Sequence, residues 1–345
     1  MQPSTRILGI ETSCDETAAA VVENGRLILS NVVASQADQH AAYGGVFPEV
    51  ASRLHIETIS SVVSTCLTEA HVGLESIDAV AVTRGPGLAG SLVVGLNLAK
   101  GLALAAGLPL IGVNHLEAHL YSTWLVAEEP EPVFPLLCLV VSGGHTELIL
   151  MRDHLTYERL GGTLDDAAGE AFDKVARLLG LAYPGGPAVQ SAAVNGDPEA
   201  FKFPRAWLEG TWDFSFSGLK TAVLREVRQR QPGLKAGVEA PRPGLPIANL
   251  AASFQAAVVD VLVGKTLAAG KELQAKEILV AGGVSANRPL REAFQAKSRL
   301  PVRVPPLSLC TDNAAMIGAV GHWRYLAGQR DALDIDVLPT WPLAA

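Results

Sequence analysis

Cysteine is scarce in this chain of 345 residues. The four cysteines, Cys14, Cys66, Cys138 and Cys310, lie far apart in the sequence and form no C-x-x-C pair. A disulfide framework and a cysteine-based zinc site are therefore disfavoured. Because reduced thiols are typical of the cytoplasm, the sequence predicts a cytoplasmic protein.

Basic charge is also limited. Lys and Arg number 27 against 35 Asp and Glu, which gives a net charge of −8 at pH 7. A protein that binds nucleic acid tightly by itself normally presents a basic surface. Any contact with nucleic acid therefore needs a local patch or charge supplied by a partner. The one compact basic run contains Lys220, Arg225, Arg228 and Arg230, and a solvated helix face explains it equally well.

The sequence has no long uninterrupted apolar stretch. Its most apolar part, residues 88–113, contains Asn97, Lys100 and Pro109, which predicts a buried helix followed by a strand and not a membrane span. The first residues also lack the basic segment and apolar run of a signal peptide. With 49% hydrophobic and 18% charged residues, disorder is excluded as the overall state. We therefore expect a folded chain, of two domains by its length, that makes no contact with a membrane.

A repeated order of strands and polar loops runs along the chain. In the first half, strands at residues 6–10 and 79–83 lead into the loops ETSCDET and RGPGLAG. In the second half, strands at residues 137–141 and 277–281 lead into SGGHTE and GGVSAN. This order predicts a duplicated α/β fold with two lobes and a ligand cleft between them. Two unrelated α/β domains with similar loops are the alternative.

The same pattern suggests where the lobes begin and end. Residues 1–130 form the predicted first lobe and residues 131–325 the second, with an insertion in the Pro-, Gly- and Trp-rich residues 185–246. The C-terminal residues 326–345 are expected to pack back on the first lobe. Apolar residues at helical spacing predict an amphipathic helix at 49–70, whose apolar surface is wide enough to serve a partner as well as the core.

The four polar loops together indicate nucleotide binding. Glycine lets backbone amides approach an anion closely, and the N-terminus of a following helix favours negative charge. Neither the Walker nor the dinucleotide-binding spacing is present, so a tight turn explains each loop taken alone. Several such loops in related positions favour a nucleotide site.

The segment HLEAH offers a metal site. If it is helical, His115 and His119 project from one face and can share an ion, although a lone histidine pair is often polar packing only. Glu117 lies about 200° around the helix from either histidine, so it cannot act as the base of a zinc protease. Asp312 is a candidate third ligand, on the expectation that its loop in the second lobe faces the same cleft. Two histidines and a carboxylate suit iron(II) or zinc with open positions.

Seven motifs occur in order over nearly the whole chain: GIETSCDET, HLEAH, VVSGGHTEL, DDAAGEAFDKVARLLGL-x-YPGGP, FSFSGLKTA, VAGGVSANRPLR and CTDNAAMIG. Together they resemble the bacterial-type tRNA N6-adenosine threonylcarbamoyltransferase family (TsaD), also known by the older name O-sialoglycoprotein endopeptidase. The resemblance implies the actin/sugar-kinase/heat-shock-ATPase fold, with a nucleotide cleft between its lobes. It also implies a reaction. The threonylcarbamoyl group of threonylcarbamoyl-adenylate passes to N6 of the adenosine 3′ of the anticodon, in tRNAs reading codons that begin with A, and AMP leaves.

The resemblance also implies roles for individual residues. It makes His115, His119 and Asp312 metal ligands, with iron(II) favoured and zinc as the alternative, and it gives Asp15 a catalytic role. The substrate-binding residues that it implies are Val140, Val141, Ser142, Gly143 and Gly144 for the adenylate, Asp173 for the ribose, and Gly186 and Asn287 beside the nucleotide. From the residues alone, Asp173 equally fits a solvated charged face, and Asn287 equally fits a helix N-cap.

Partners follow from the resemblance as well. It implies tRNA as substrate, together with a paralogous subunit (TsaB type) and a small ATPase (TsaE type). Three other functions stay open from the residues: an ATP-dependent kinase or ATPase of the same fold, a nucleotide-binding scaffold, and a metalloprotease, which the position of Glu117 disfavours. Formation of ADP from ATP alone would identify the first of these.

Overall fold

The computed structural model describes residues 4–41, 43, 45–126, 130–231 and 244–343. Residues 232–243 of the expected insertion at 185–246 lie outside them. The strands are β1 (Arg6–Glu11), β2 (Glu16–Glu23), β3 (Leu27–Ser35), β4 (Ala79–Gly85), β5 (Leu110–Asn114), β6 (Leu136–Val141), β7 (Thr146–Asp153), β8 (Thr156–Gly162), β9 (Glu277–Ala281) and β10 (Val302–Arg303). The helices are α1 (Ala37–Ala41), α2 (Pro48–Glu69), α3 (Ala89–Ala106), α4 (His115–Tyr121), α5 (Ala168–Leu179), α6 (Gly185–Ala193), α7 (Ser217–Arg230), α8 (Ile247–Glu272), α9 (Arg288–Lys297) and α10 (Ala314–Leu326).

Local sequence accounts for several helix ends. α3 and α5 stop at Gly107 and Gly180, which adopt the left-handed conformation that terminates a helix without a side-chain clash. α9 begins after Asn287, whose side chain caps it, and has proline in its first turn. α5 begins three residues into the DDAAGEAFDK motif, and the two aspartates before it bind a later segment through Ser215 and Lys220.

Two five-stranded sheets with the same strand order form the cores. The first runs β3-β2-β1-β4-β5, and the second, β8-β7-β6-β9-β10, repeats it. In each sheet the central strand pairs antiparallel with the next strand along the chain and parallel with a later one. The central strands β1 and β6 are almost completely buried. This repetition confirms the duplicated α/β architecture that the order of strands and loops predicts.

The chain divides into two compact units. Unit 1 contains Met1–Pro132, Asp153–Tyr157 and Pro305–Ala345, and unit 2 contains Val133–Arg152 and Glu158–Val304. Residues 305–325, which the sequence pattern assigns to the second lobe, therefore lie in unit 1. The tip of the β7–β8 hairpin also lies there.

Close packing of α10 on the first sheet explains the place of residues 305–325. A Cβ atom on Gly318 would lie 2.8 Å from Cγ2 of Val22, and a Cβ atom on Gly9 would lie 2.3 Å from the carbonyl oxygen of Ala314. Glycine at these two positions lets the helix and the strands approach each other more closely than side chains allow. α10 is consequently a core helix of unit 1.

The C-terminal segment follows the edge of the same unit. Asp331 forms an antiparallel bridge with Leu110 of β5, and its carboxylate accepts a hydrogen bond from the N–H of Gly112 at 2.7 Å. Nδ2 of Asn114 donates to the carbonyl oxygen of Trp341 at 3.0 Å. The described part of the C-terminal segment therefore lies against unit 1.

Among the described residues, two helices are long and apolar enough to cross a membrane by length and composition alone. The most apolar 18 residues of α3 have a mean hydropathy of 1.5 and are 33% buried, and those of α8 have a mean hydropathy of 1.6 and are 67% buried. α3 packs on β4 of the first sheet and α8 on β6 of the second. Core helices of globular domains meet the same two criteria, so these helices are weak indications of a membrane span.

Candidate active site

The metal-ligand candidates begin with α4, which follows directly on β5. The side chain of Asn114 caps this helix by accepting hydrogen bonds from the N–H groups of Leu116, at 2.9 Å, and Glu117, at 3.3 Å. HLEAH is therefore helical, as a shared metal site requires. His115 and His119 are both buried, and their ring centroids are 4.7 Å apart.

Asp312 lies just before α10, whose first turn is capped by the side chain of Asn313. Oδ1 of Asp312 is 3.2 Å from Nε2 of His119 and 3.5 Å from Nε2 of His115. One ligand atom from each of the three side chains lies within 4.8 Å of the others. The structure thus brings the predicted ligands together, although the expectation that Asp312 belongs to the second lobe is wrong, since all three residues lie in unit 1.

The donor set of this triad fits a divalent metal ion. Both ring nitrogens of His119 are buried and make no hydrogen bond to any residue that the structure describes. A buried polar atom without a hydrogen bond is costly. Coordination of a metal ion by Nε2 would satisfy one of these two nitrogens. Two histidines and one carboxylate provide three ligands and leave positions open for substrate oxygens. The triad is therefore a candidate metal centre.

A buried carboxylate that sequence reasoning missed holds the first histidine. Glu11, at the end of β1, is fully buried, and its Oε2 lies 3.2 Å from Nδ1 of His115. The N–H of Ser13 and the hydroxyl of Thr83 donate hydrogen bonds to the same carboxylate. Because Nδ1 of His115 is held in this way, Nε2 is directed towards Asp312. An acid at the end of the apolar strand RILGIE is the sequence signal that could have identified it.

The two carboxylates determine the charge of His115. Burial lowers the pKa of His115, but the carboxylates of Asp312 and Glu11 outweigh burial and raise that pKa to about 9. Burial alone would raise the pKa of Glu11, and the opposite charge of His115 instead holds it below its ordinary value. A metal ion therefore has to displace a proton to bind Nε2 of His115.

Glu117 faces away from the triad, as its position in the helix predicts. Its fully buried carboxylate accepts a hydrogen bond from the hydroxyl of Tyr157 at 2.8 Å and pairs with Nη2 of Arg324 at 2.7 Å. A general base has to lie within hydrogen-bond reach of the water that it activates. The metalloprotease alternative therefore lacks its base.

Asp15 lies half-buried in the loop between β1 and β2, also in unit 1. Burial, reinforced by the charge of Asp15, raises the pKa of the neighbouring Cys14 thiol. Burial, reinforced by the charges of Asp15 and Asp312, raises the pKa of Glu16 to about 9. The catalytic role of Asp15 stays a prediction.

In unit 2, the SGGH loop after β6 forms a tight turn. The N–H of Ser142 donates to the carbonyl oxygen of His145 at 2.8 Å, and its Oγ accepts from the N–H of His145 at 3.1 Å. A Cβ atom on Gly143 or Gly144 would meet no atom within 4 Å. Another molecule can therefore approach the backbone of this turn closely within unit 2.

The residues on either side of this turn fix its position. Val140 and Val141 are fully buried in β6, so their side chains belong to the core and can serve a ligand only by holding the turn in place. On the other side, the N–H of Gly169 in α5 donates to the carbonyl oxygen of Ser142 at 3.1 Å. A Cβ atom on Gly169 would lie 2.5 Å from that oxygen, so this contact requires glycine.

Asp173 of α5 holds the YPGGP turn. Its Oδ1 accepts a hydrogen bond from the N–H of Gly185 at 2.7 Å, and a Cβ atom on Gly185 would lie 2.5 Å from Cα of Asp173. Asp173 is therefore more than a solvated charge on a helix face. Gly186 follows in the first turn of α6, and a Cβ atom there would meet nothing within 4 Å. The backbone at Gly186 is thus open to close approach.

Asn287 is a helix cap, which is one of the two interpretations that its sequence allows. Its Oδ1 accepts from the N–H of Leu290 at 3.1 Å, and its Nδ2 donates to Oε1 of Gln255 at 2.8 Å. Nearby, Oε1 of Gln190 accepts from the N–H of Arg288 at 2.7 Å. These bonds fix the start of α9, and a contact between Asn287 and a nucleotide stays a prediction.

Two aspartates before α5 bind the segment FSFSGLKT, a role that sequence reasoning missed. Asp166 pairs with Lys174 at 2.6 Å and with Lys220 at 2.7 Å. Asp165 accepts a hydrogen bond from the hydroxyl of Ser215 at 2.6 Å. Lys220, the first residue of the basic run, is therefore already paired with an acid. The sequence signal for this contact was weak: one motif carries two acids, and the other carries a lysine.

Solved structures share the fold at low sequence identity. The match to HypF from T. kodakarensis covers 94% of this chain and 48% of that protein, with a TM-score of 0.62 and 16% identity. The match to component A of the (R)-2-hydroxyglutaryl-CoA dehydratase from Acidaminococcus fermentans covers 94% of this chain and 99% of that protein, with a TM-score of 0.52 and 13% identity. These likenesses concern the fold alone, and they confirm the predicted fold class.

Sequence comparison adds the family. The profile described as TsaD, tRNA N6-adenosine threonylcarbamoyltransferase, matches residues 27–319. A relative of that name from Thermomicrobium roseum is 57% identical over 98% of this chain and 96% of its own length, and one from Geobacillus kaustophilus is 55% identical over 99% and 98%. Fold and relatives together define a transferase built on the actin/sugar-kinase/heat-shock-ATPase fold. The chain belongs to the tRNA N6-adenosine threonylcarbamoyltransferase family, which confirms the assignment made from the seven motifs.

Proposed function

We propose that this chain transfers the threonylcarbamoyl group of threonylcarbamoyl-adenylate to N6 of the adenosine 3′ of the anticodon, in tRNAs reading codons that begin with A, with release of AMP. Membership of the family, with relatives above 50% identity that bear this transferase name, is the observation that carries the proposal. The convergence of His115, His119 and Asp312 supports it, because charge develops on oxygen atoms during acyl transfer.

The substrate's chemistry defines what the protein has to supply. The acyl carbon is already activated by its phosphate leaving group, whereas the exocyclic amine of adenosine is a weak nucleophile. We expect His115, His119 and Asp312 to hold one divalent metal ion, iron(II) by preference and zinc as the alternative, which would provide positive charge for the carbamoyl or phosphate oxygens. Glu11 would keep Nε2 of His115 directed at the ion.

In unit 2, the turn of Ser142, Gly143 and Gly144 would hold the adenylate, because glycine leaves it open to close approach. The backbone amides of Gly143 and Gly144 would be the donors, since the N–H of Ser142 is bound to the carbonyl oxygen of His145. Val140 and Val141 would fix the turn from within β6. Three further residues are proposed beside the nucleotide: Gly186, Asn287 and Asp173. Of these, Asp173 would accept hydrogen bonds from the ribose. Asp15 of unit 1 is proposed as a catalytic residue on the β1–β2 loop.

One experiment tests the reaction directly. The metal-loaded protein, together with its proposed partners, is given threonylcarbamoyl-adenylate and tRNA, and the tRNA is digested for nucleoside mass spectrometry. We expect threonylcarbamoyl-adenosine and an equal amount of AMP. A parallel incubation of this chain by itself, without the proposed small ATPase, with ATP alone should give no ADP. ADP formation without modified nucleoside would contradict the proposal and favour a kinase or ATPase.

Asp173→Ala is expected to weaken binding of AMP or of a stable adenylate analogue by about 1.5–3 kcal/mol, the range of a charge-assisted hydrogen bond. Calorimetry on the purified protein measures the effect. Glu170→Ala, which removes another acid of the same helix, one that is paired with Lys174, should leave the affinity unchanged. Equal affinity in Asp173→Ala and wild type would mean that Asp173 serves only the YPGGP turn.

Glu117→Gln is expected to retain transfer activity within about tenfold of wild type at saturating metal, because Glu117 faces away from the triad. Removal of a general base would typically cost about 10²–10⁴-fold. Single-turnover transfer from supplied adenylate is the measurement. A loss of the larger size that extra metal does not restore, with an unchanged absorption spectrum of bound Co²⁺, would show that Glu117 acts on the substrate or its water.

We further propose that the chain works with tRNA, a paralogous subunit (TsaB type) and a small ATPase (TsaE type). α2 supports a protein partner, since Ile56 on this helix is 65% exposed and Phe47, just before it, is 46% exposed. A cytoplasmic location is proposed as well. None of the four cysteines, all of which the structure describes, forms a disulfide, which suits a reducing compartment.

A further inference from the structure

α4 has only seven residues, and a helix of this length is not stable without tertiary contacts. Its position, and hence that of His115 and His119, must be set by the elements that pack on it. On the face opposite the two histidines, Glu117 is fully buried. Tyr157 donates to its Oε1 at 2.8 Å, and Arg324 donates from Nε and Nη2 to its Oε2 at 3.0 and 2.7 Å. Both carboxylate oxygens are therefore bound.

Tyr157 lies at the tip of the β7–β8 hairpin, in the part of it that belongs to unit 1. The same tip contacts α4 a second time, one helical turn later. The hydroxyl of Tyr121 lies 3.1 Å from Nδ1 of His154 and accepts a hydrogen bond from the N–H of Leu155 at 3.2 Å. The hairpin tip therefore holds α4 at two successive turns.

Arg324 connects α4 to the element that carries the third ligand. It lies in the last turn of α10, and Asp312 stands two residues before the first residue of that helix. One helix thus supplies both the cation that binds Glu117 and the carboxylate that meets the histidines. Any shift of α4 along α10 would change the distances of 3.2 and 3.5 Å between the histidine nitrogens and Asp312.

We infer that Glu117, Tyr157 and Arg324 are positioning residues of the metal site. The carboxylate of Glu117 is fixed between the hairpin tip and α10, and this fixes α4 so that His115 and His119 converge on Asp312. The inference rests on the metal-binding role proposed above for the triad. Glu117 then acts on the site through the helix that carries it, and it does not touch substrate or water.

A purely structural role would have a different consequence. If these three residues only stabilise unit 1, their variants will melt at lower temperature but bind metal normally once folded. If they position the ligands, the folded variants will bind metal more weakly and coordinate it in a different geometry. Metal affinity and the absorption spectrum of bound Co²⁺ therefore separate the two roles without any assay of transfer.

The experiment uses Tyr157→Phe, which removes one hydroxyl, and Arg324→Met, which removes the ion pair. Zn²⁺ affinity is measured on the full-length chain by competition with a chromophoric chelator. We expect about tenfold weaker binding for Tyr157→Phe and about 10- to 100-fold for Arg324→Met, the range found when groups that orient metal ligands are removed. Arg324→Lys, which keeps the charge, should recover part of the affinity, and the Co²⁺ spectra should change in the same order.

Two matched controls remove comparable groups elsewhere. Tyr325→Phe removes the hydroxyl of a tyrosine that follows Arg324 on α10 and whose ring stacks on Arg330. Arg152→Met breaks an exposed ion pair with Glu158. Both should bind Zn²⁺ as wild type does.

Each outcome decides the question. Wild-type Zn²⁺ affinity and Co²⁺ spectrum in Tyr157→Phe and Arg324→Met would overturn the inference and leave the proposed function standing. If Arg324→Met fails to fold, Tyr157→Phe alone decides. If wild type and His119→Ala bind Zn²⁺ equally, the metal site itself is wrong, and the inference fails with it.

Discussion

His119→Ala is expected to reduce bound metal to well below one ion per chain and to abolish transfer of the threonylcarbamoyl group to tRNA. The variant leaves two of three protein ligands, and an ion with only two loses both its affinity and a defined geometry. His119 is the most informative position, because its ring nitrogens make no hydrogen bond to the described residues. Its removal therefore breaks no hydrogen bond to those residues, and Oδ1 of Asp312 loses only the ring nitrogen that lies 3.2 Å away.

His115→Ala should abolish metal binding as well, but with a further effect on stability. Glu11 would lose the partner that lies 3.2 Å from its Oε2 and would stay buried. We expect a cost of about 1–3 kcal/mol in unfolding free energy, which denaturant titration can measure. His119→Ala also removes a buried ring and its packing, but without this additional cost, so the difference between the two variants is the measure of the effect.

Metal content by elemental analysis and single-turnover transfer are the two measurements for the histidine variants. His71→Asn is a suitable control, because His71 is exposed, and its left-handed backbone, with φ of 55°, tolerates asparagine. Full metal content and full activity in both alanine variants would show that the triad is not the metal site.

The sequence predicted both the fold and the metal-ligand triad, but the arguments for the triad were only partly correct. The order of strands and loops along the chain predicted the duplication. The structure confirms it, because the two sheets have the same strand order. The spacing of His115 and His119 predicted their common face, since helix geometry alone determines it. Asp312 was predicted correctly as a neighbour, but by an argument that placed it in the wrong half of the molecule.

Other parts of the site could not be predicted from the sequence. Glu11, Tyr157 and Arg324 reach α4 from three distant segments, and no local spacing relates any of them to HLEAH. Their roles depend on tertiary packing, which a single sequence does not reveal. The reverse holds for Asn287, where a motif predicts a ligand contact and the observed bonds are those of a helix cap.

The basic run illustrates why charge must be examined in the structure. Lys220 pairs with Asp166, and Arg230 pairs with Glu226 and lies 5.0 Å from the centre of the Phe201 ring. Arg225 and Arg228 remain exposed on α7 and make no ion pair with any described residue. Two exposed arginines on a chain of net charge −8 supply little attraction for tRNA.

We therefore expect the purified chain alone to be nearly inactive and to bind tRNA weakly, and the proposed paralogous subunit to restore transfer by at least tenfold. The partner is expected on α2, where Ile56 is 65% exposed. Single-turnover transfer is measured with and without the subunit, and tRNA binding is measured across a range of salt concentrations. Ile56→Glu should abolish the stimulation, whereas Leu104→Glu, at a 71% exposed position on α3, should not. Full activity of the chain alone, with tight and strongly salt-dependent tRNA binding, would show that the charge argument is wrong.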